Sequence, residues 1–256
     1  MSRPRTYQTE AIIIKKTKLG EADRILTLYT PDLGKIQGVA KGIRRPKSKL
    51  AGHLELLTHS TVSFARGHNL DTIIGSQTID SFLPLKSDLD LSAGALYLTE
   101  LVNQFTPEHL ENRPLFQLLL ESMRQLCLAT NRELLLRQFE LHLFHAAGYR
   151  PQLRECVVCR QPLQPIINAF SASAGGMLCP DCHQSQGLVH PISVDALKVL
   201  RWLQDSDFDA ISRLKIAPEL SLELERILRG YIKYLLERDI KSAAWLDSLR
   251  NSPTLA

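Results

Sequence analysis

Up to about residue 80, apolar and polar positions alternate with a period of two, in short stretches separated by turn residues. Residues 11–15, 24–30, 35–41, 54–64 and 70–79 each predict a strand, because successive side chains of an extended chain face opposite sides. The breaks fall at Leu19-Gly20, Pro31-Asp32-Leu33-Gly34 and Arg66-Gly67-His68-Asn69, all turn chemistry. Five short strands in about eighty residues predict a small closed barrel over 1–82, with the oligonucleotide-binding (OB) barrel as the candidate. A small antiparallel sandwich is the structural alternative.

After Leu83-Pro84 the spacing becomes helical. Leu91, Ala95, Leu98, Val102 and Phe105 fall on one face of a first helix. Pro114 opens a second, with Leu115, Leu118, Leu119 and Leu126 apolar, and 134–147 predicts a third, stopped by Gly148 with Pro151 beyond it. The pattern resumes at Ser193, a residue suited to cap a helix start, and runs through Leu197, Leu200 and Leu203. A last long helix follows Pro218, with Leu220, Leu224, Leu228, Tyr231 and Leu235 spaced for burial. These stripes read as core rather than as a partner groove. The helical domain is thus expected in two parts, 83–151 and 191–250, with 251–256 a disordered tail.

Between the two parts, over 152–190, lie Cys156-Val157-Val158-Cys159 and Cys179-Pro180-Asp181-Cys182, with nineteen residues between the pairs. Each Cys-x-x-Cys turn can aim both sulfurs at one tetrahedral centre, so the spacing is that of a four-thiolate zinc site. Four protein ligands leave no open position for water or substrate, and one structural Zn2+ is expected, held by Cys156, Cys159, Cys179 and Cys182. Two disulfides or a dithiol redox pair are the competing readings. The start, Met1-Ser2-Arg3-Pro4-Arg5, lacks an apolar leader, which points to a reducing cytoplasm where disulfides are disfavoured. A redox pair would explain one Cys-x-x-Cys, not two. A nucleobase deaminase is opposed as well: His53-Leu54-Glu55 and His109-Leu110-Glu111 occur, but Glu155 and Leu178, not proline, precede the Cys pairs. The lone Cys127 reads as a small buried apolar residue. The expected class is therefore α+β and multidomain: an N-terminal OB β-barrel, then an α-helical domain with an inserted four-cysteine zinc module.

Charge changes the picture in one region. Of 256 residues, 44% are hydrophobic and 23% charged, as in ordinary globular chains, and no apolar run reaches membrane-span length. Residues 1–80 hold thirteen Lys/Arg against seven Asp/Glu, whereas the remainder holds eighteen against twenty. The positive field belongs to the barrel. Its densest stretch contains Lys35, Lys41, Arg44, Arg45, Lys47 and Lys49, with no acid between Asp32 and Glu55. A solvated basic loop is the bland reading; on an OB barrel that is itself basic, a phosphate-contacting surface is the better one. Only Tyr7, Tyr29 and Phe64 are aromatic in 1–80, so base stacking contributes little and sequence specificity is not expected.

Several stretches together carry a family resemblance. Ala11-Ile12-Ile13-Ile14-Lys15, Gly20-Glu21-Ala22-Asp23-Arg24-Ile25-Leu26, and Ala40-Lys41-Gly42-Ile43-Arg44-Arg45 through Ser48-Lys49-Leu50 resemble the N-terminal pattern of the bacterial RecO family. Gly175-Gly176-Met177-Leu178-Cys179 with both Cys pairs is similar to its zinc-containing branch, and Ile240-Lys241-Ser242-Ala243-Ala244-Trp245-Leu246 to its C-terminal end. The resemblance implies a recombination mediator in DNA repair, not an enzyme, which binds single- and double-stranded DNA and anneals complementary strands. It implies the partner RecR, with which RecA is loaded onto DNA covered by single-strand-binding protein, and a bacterial, nucleoid-associated location. The acidic tail of single-strand-binding protein needs cations beside an apolar groove, which suggests Arg124, Arg132 and Arg137, set among Leu126, Leu134 and Leu135. The alternative is a zinc-ribbon transcription or translation factor. Against it, 152–190 carries only Arg154 and Arg160 against Glu155 and Asp181, hardly a basic ribbon.

Overall fold

The computed structural model describes residues 5–129, 131–184, 187–211 and 214–251. The chain forms two compact units, one of residues 1–127 with 241–256 and one of residues 128–240. In the first, β1 (Thr6–Leu19), β2 (Asp23–Thr30), β3 (Gly34–Ala40), β4 (His59–Ala65) and β5 (Asp71–Asp80) close into a barrel in the order β1-β2-β3-β5-β4. Closure is made by a short parallel pairing of β3 with β5, Gly38 opposite Asp71 and Val39 opposite Thr72. This is the OB-type barrel that the alternation predicts.

β1 serves two partners because it is long. Thr6 to Ile12 pair with β4, and Ile12 to Leu19 pair with β2. An irregularity between Ile13 and Lys15 lets the strand bend from one neighbour to the other. Ala11 and Ile13 enter the barrel core with Leu26, Leu28, Val62 and Phe64. Ile12 and Ile14 are also buried, which explains an apolar run where a half-exposed strand would alternate. One difference from the sequence expectation concerns β4, which starts at His59 rather than at residue 54. Residues Gly52–Leu54 form a 3-10 turn whose Leu54 is fully buried in the barrel core. Leu57 then adopts φ 63°, a left-handed conformation that no strand can pass through.

Helices α1 (Leu83–Ser87), α2 (Leu89–Phe105) and α3 (Arg113–Leu128) follow. The Asp88 side chain caps α2 by accepting from the Leu91 N–H at 2.8 Å. Phe116 of α3 stacks on Tyr29 of β2, with ring centroids 6.5 Å apart, so the outer side of β2 is covered here.

The second unit begins with α4 (Arg132–Ala146), in which every residue from Leu134 to Leu141 is buried, including Arg137, Gln138 and Glu140. Next comes a three-stranded antiparallel sheet with β6 (Asn168–Ser171) between β7 (Gly176–Leu178) and β8 (His190–Ile192). The short α5 (Pro180–His183) follows β7; α6 (Val194–Asp205), α7 (Phe208–Ile211) and α8 (Pro218–Leu236) complete the unit. Ser193 caps α6 as its sequence predicts, accepting from the Ala196 N–H at 3.1 Å. A final helix that hydrophobic spacing did not reveal, α9 (Lys241–Asn251), belongs to the first unit and packs against α2. Glu100 of α2 fixes its start by accepting from the Lys241 and Ser242 N–H groups at 3.1 and 2.8 Å. Of the expected tail 251–256, Asn251 ends α9 and the rest lies outside the described residues.

Candidate nucleic-acid surface and metal centre

The basic stretch leaves β3 as a loop that is exposed yet fastened. Ile43 points into the barrel core, so the loop is pinned at its root. Gly42 has φ 63°, which suits glycine, and its N–H donates to the Asp23 carboxylate at 2.7 Å. The Arg44 N–H donates to the Ala22 carbonyl at 3.0 Å, and two further turns close through the Arg45 and Ser48 N–H groups. Held this way, Lys41, Arg44, Arg45, Lys47 and Lys49 are all exposed. Arg44 donates to the Glu21 carbonyl at 2.8 Å, which orients its guanidinium without neutralising it. Among the described residues none of the five forms an ion pair. An unpaired, ordered cationic loop presents its charge outward with part of its conformational entropy already lost.

Lys35 lies apart from this loop in its use. Its Nζ donates to the Asn103 carbonyl at 2.6 Å, so it secures the last turn of α2 to β3. Strand register adds cations that the sequence reading did not single out. Lys18 stands opposite Arg24, and Arg24 opposite Ala40, the residue before Lys41. Lys15 and Lys18 are exposed; Lys16 is paired with Glu55 at 2.7 Å. Their only signal in the sequence is the cluster Lys15-Lys16-Thr17-Lys18, whose placement depends on pairing that the sequence does not display. Of the few aromatics, Phe64 is in the core, Tyr29 is buried, and Tyr7 stacks on Phe64 with its hydroxyl on Asp71 at 2.7 Å.

The four cysteines of the module come together. Their sulfurs all lie within 4.8 Å of one another, and Cys159 and Cys179 are 3.8 Å apart. A tetrahedral zinc with sulfurs at about 2.3 Å has sulfur–sulfur edges of about 3.8 Å, so the set has the right size. Two turns build it. The Arg160 N–H returns to the Cys156 carbonyl with Arg160 at φ 62°, and the Cys182 and His183 N–H groups return to the Cys179 carbonyl. The first turn sits directly on β7, where the Val157 N–H donates to the Met177 carbonyl. A Cβ on Gly176 would come within 2.6 Å of the Gln152 carbonyl and 2.8 Å of the Val157 side chain, so only glycine permits that approach.

The protonation chemistry also suits a cation. Burial pushes the Cys156 thiol up, but the N–H groups of Cys179, Cys159 and Val158 outweigh it and pull it down to about 6. At Cys182 a hydrogen bond with Cys179, aided by desolvation, pushes the thiol up to about 12. Four sulfurs this close cannot all ionise at neutral pH without a positive charge among them. These residues could hold a metal ion, and Cys156 is buried while Cys159 is exposed, so the module grips it from the protein side.

The arginines expected on a partner surface have different surroundings. Arg124 is exposed on α3 and within 3.6 Å of Glu121, and Arg132 is half-buried at the start of α4. Arg137 corrects the expectation of a solvent-facing cation. It is 1% exposed, donates to Glu140 at 2.6 Å and lies 3.5 Å from Glu225, which in turn pairs with Arg229 at 2.6 Å. Around it every residue from Leu134 to Leu141 is buried, so this stretch of α4 presents no solvated face.

An OB-type barrel with an ordered cationic loop, followed by a helical region carrying a cluster of four cysteines, defines a multidomain protein built around an oligonucleotide-binding type of barrel. The family model described as recombination protein O, N terminal, matches residues 1–82, and that for its C terminal matches residues 86–244. The chain is 51% identical over 250 residues to the DNA repair protein RecO of Dehalococcoides mccartyi (strain CBDB1), covering 98% of each. It is 44% identical over 248 residues to that of Roseiflexus sp. (strain RS-1), covering 97% of this chain and 87% of the relative. To that of Desulforamulus reducens it is 32% identical over 246 residues, 96% of each. The chain belongs to the RecO family of DNA repair and recombination proteins. No helix among the described residues is long and apolar enough to cross a membrane.

Proposed function

We propose that this protein is a recombination mediator that binds single- and double-stranded DNA through phosphates, anneals complementary strands and, with RecR, helps load RecA onto DNA covered by single-strand-binding protein. The observation that carries this reading is the loop of Lys41, Arg44, Arg45, Lys47 and Lys49, fastened to an OB barrel and unpaired among the described residues. Cations on a rigid support neutralise phosphates and release counterions, giving affinity without base identity. Two polyanions drawn to one such surface lose the repulsion that keeps complementary strands apart, which is the physical content of annealing. The role is non-catalytic and set in the bacterial cytoplasm, at the nucleoid. The metal of the cysteine module is one structural zinc. The acidic tail of single-strand-binding protein docks near Arg132, or near Arg124, while Arg137 holds the fold.

Changing Lys41, Arg44 and Arg45 together to Gln tests the reading. The slope of log affinity against log salt should flatten by up to roughly two units on single strands, at about 0.7 per lost contact. Unrelated sequences should lose affinity alike, annealing should slow in parallel, and metal content and melting temperature should hold. A folded triple variant with native affinity, slope and annealing would place DNA elsewhere.

A further inference from the structure

The first unit contains a cavity of about 650 Å³ bounded by β1, β2, α2 and α9. Its apolar lining comes from Ile14, Leu56 and Leu96, and Trp245 of α9 adds a half-exposed aromatic surface. Lys15, Arg24 and Lys241 bring positive charge to it, and Asn103 and Gln104 bring side-chain amides. The carboxylate in the lining, Glu100, is taken up by the α9 start and the Ser242 hydroxyl, which donates at 2.6 Å. Lys16, also in the lining, is held by Glu55. The cavity therefore combines an aromatic and apolar surface, amide donors and acceptors, and net positive charge. Its volume lies within the range of small-molecule sites.

Those properties match one unstacked nucleotide better than any other unit of a polymer. The base of a nucleotide has a flat face for an indole and an edge of donors and acceptors for amides, and the backbone phosphates on either side of it need cations. The position agrees: Arg24, in the lining, pairs in register with Lys18 and with Ala40, directly before the cationic loop. We propose that this cavity captures one nucleotide of a single strand, its base against Trp245 and its flanking phosphates on Lys15, Arg24 and Lys241. Duplex DNA, whose bases are stacked and paired, has no free base to insert. The cavity thus supplies a single-strand preference that a phosphate-binding loop alone lacks. The inference rests on the reading that the barrel binds DNA.

The chain has two tryptophans, so the full-length Trp202→Phe variant reports on Trp245 alone. Titration with a thymidine homopolymer should quench its emission, whereas a duplex bound at the same salt, followed by anisotropy of a label on the DNA, should not. Trp245→Leu should weaken single-strand binding by about 5- to 150-fold, the range of one lost base stack, with duplex binding unchanged. Trp245→Phe should restore much of the loss and keeps the test open if the leucine variant folds poorly. A strand that binds without changing Trp245 emission, or native single-strand affinity in the folded leucine variant, overturns the base pocket while leaving DNA binding by the loop intact. Quenching by an acidic peptide with an aromatic end, and not by the strand, would overturn it in favour of a protein partner. Absence of any DNA binding at low salt overturns both readings.

Discussion

Arg45, on the loop leaving β3, is exposed and pairs with no acid among the described residues, whereas Arg137, on α4, is buried with Glu140 and Glu225. The same side chain is put to opposite uses in the two units. In the helical unit charge is drawn together, in this buried ion-pair network and in four sulfurs within 4.8 Å, and each buried charge needs a counter-charge to offset its desolvation. In the barrel unit a row of cations stays in water, where it costs little to keep and is available to a polyanion. Substitutions in the helical unit should therefore change stability and leave DNA affinity nearly intact, and substitutions in the loop should do the reverse.

The largest break in that contrast should come from Cys179→Ser. Structural zinc contributes about 10–16 kcal/mol in isolated peptide modules, and losing one thiolate should remove most of the metal and unfold the module first. Elemental analysis should show the loss, a melting scan should show an earlier transition, and salt-dependent DNA binding should stay native. Full metal occupancy in this variant would refute the four-sulfur assignment.

Arg137→Ala comes next. It takes the Arg137 guanidinium away from the buried carboxylates of Glu140 and Glu225, a loss of about 3–5 kcal/mol in urea denaturation. Adding Glu140→Gln should return part of that loss, because it removes one of the buried negative charges that Arg137 offsets. A drop in binding of an acidic peptide at unchanged stability would instead assign Arg137 to a docking surface.

Ser193→Ala sharpens the comparison at small scale. Ser193 Oγ accepts from the Ala196 N–H at 3.1 Å and donates to Glu223 at 2.8 Å. Loss of such a cap costs about 1 kcal/mol, to be measured by urea titration. An effect below a few tenths would show that Glu223 or water replaces it.

What the sequence displays and what it hides follow from the range of the forces involved. The five strands, α2, α3, α4 and α8, and the Ser193 cap are local patterns of burial and hydrogen bonding, and their spacing announces them. The two Cys pairs announce their site for the same reason, since each turn is four residues long. Leu54 misled because a side chain can fill a barrel from a turn as well as from a strand, and alternation does not separate the two. α9 stayed hidden because Ser242 and Leu246 are its few buried positions and its partner, α2, lies far away along the chain. The roles of Lys35, Arg24 and Arg137 depend on which carbonyl, strand or carboxylate stands opposite, and tertiary pairing alone decides that.

The return of α9 to α2 has a consequence for how the molecule is made. Between these two helices the ribosome must deliver the whole helical unit, so the wall that carries Trp245 emerges last among the described helices. The barrel and its cationic loop are complete long before. If the loop grips phosphates as proposed, a chain ending before residue 241 should bind duplex and single strand alike, because it keeps the cationic loop and lacks the wall that carries Trp245. On that proposal discrimination between them depends on α9, and a chain stopped before this helix is expected to bind both forms of DNA rather than neither.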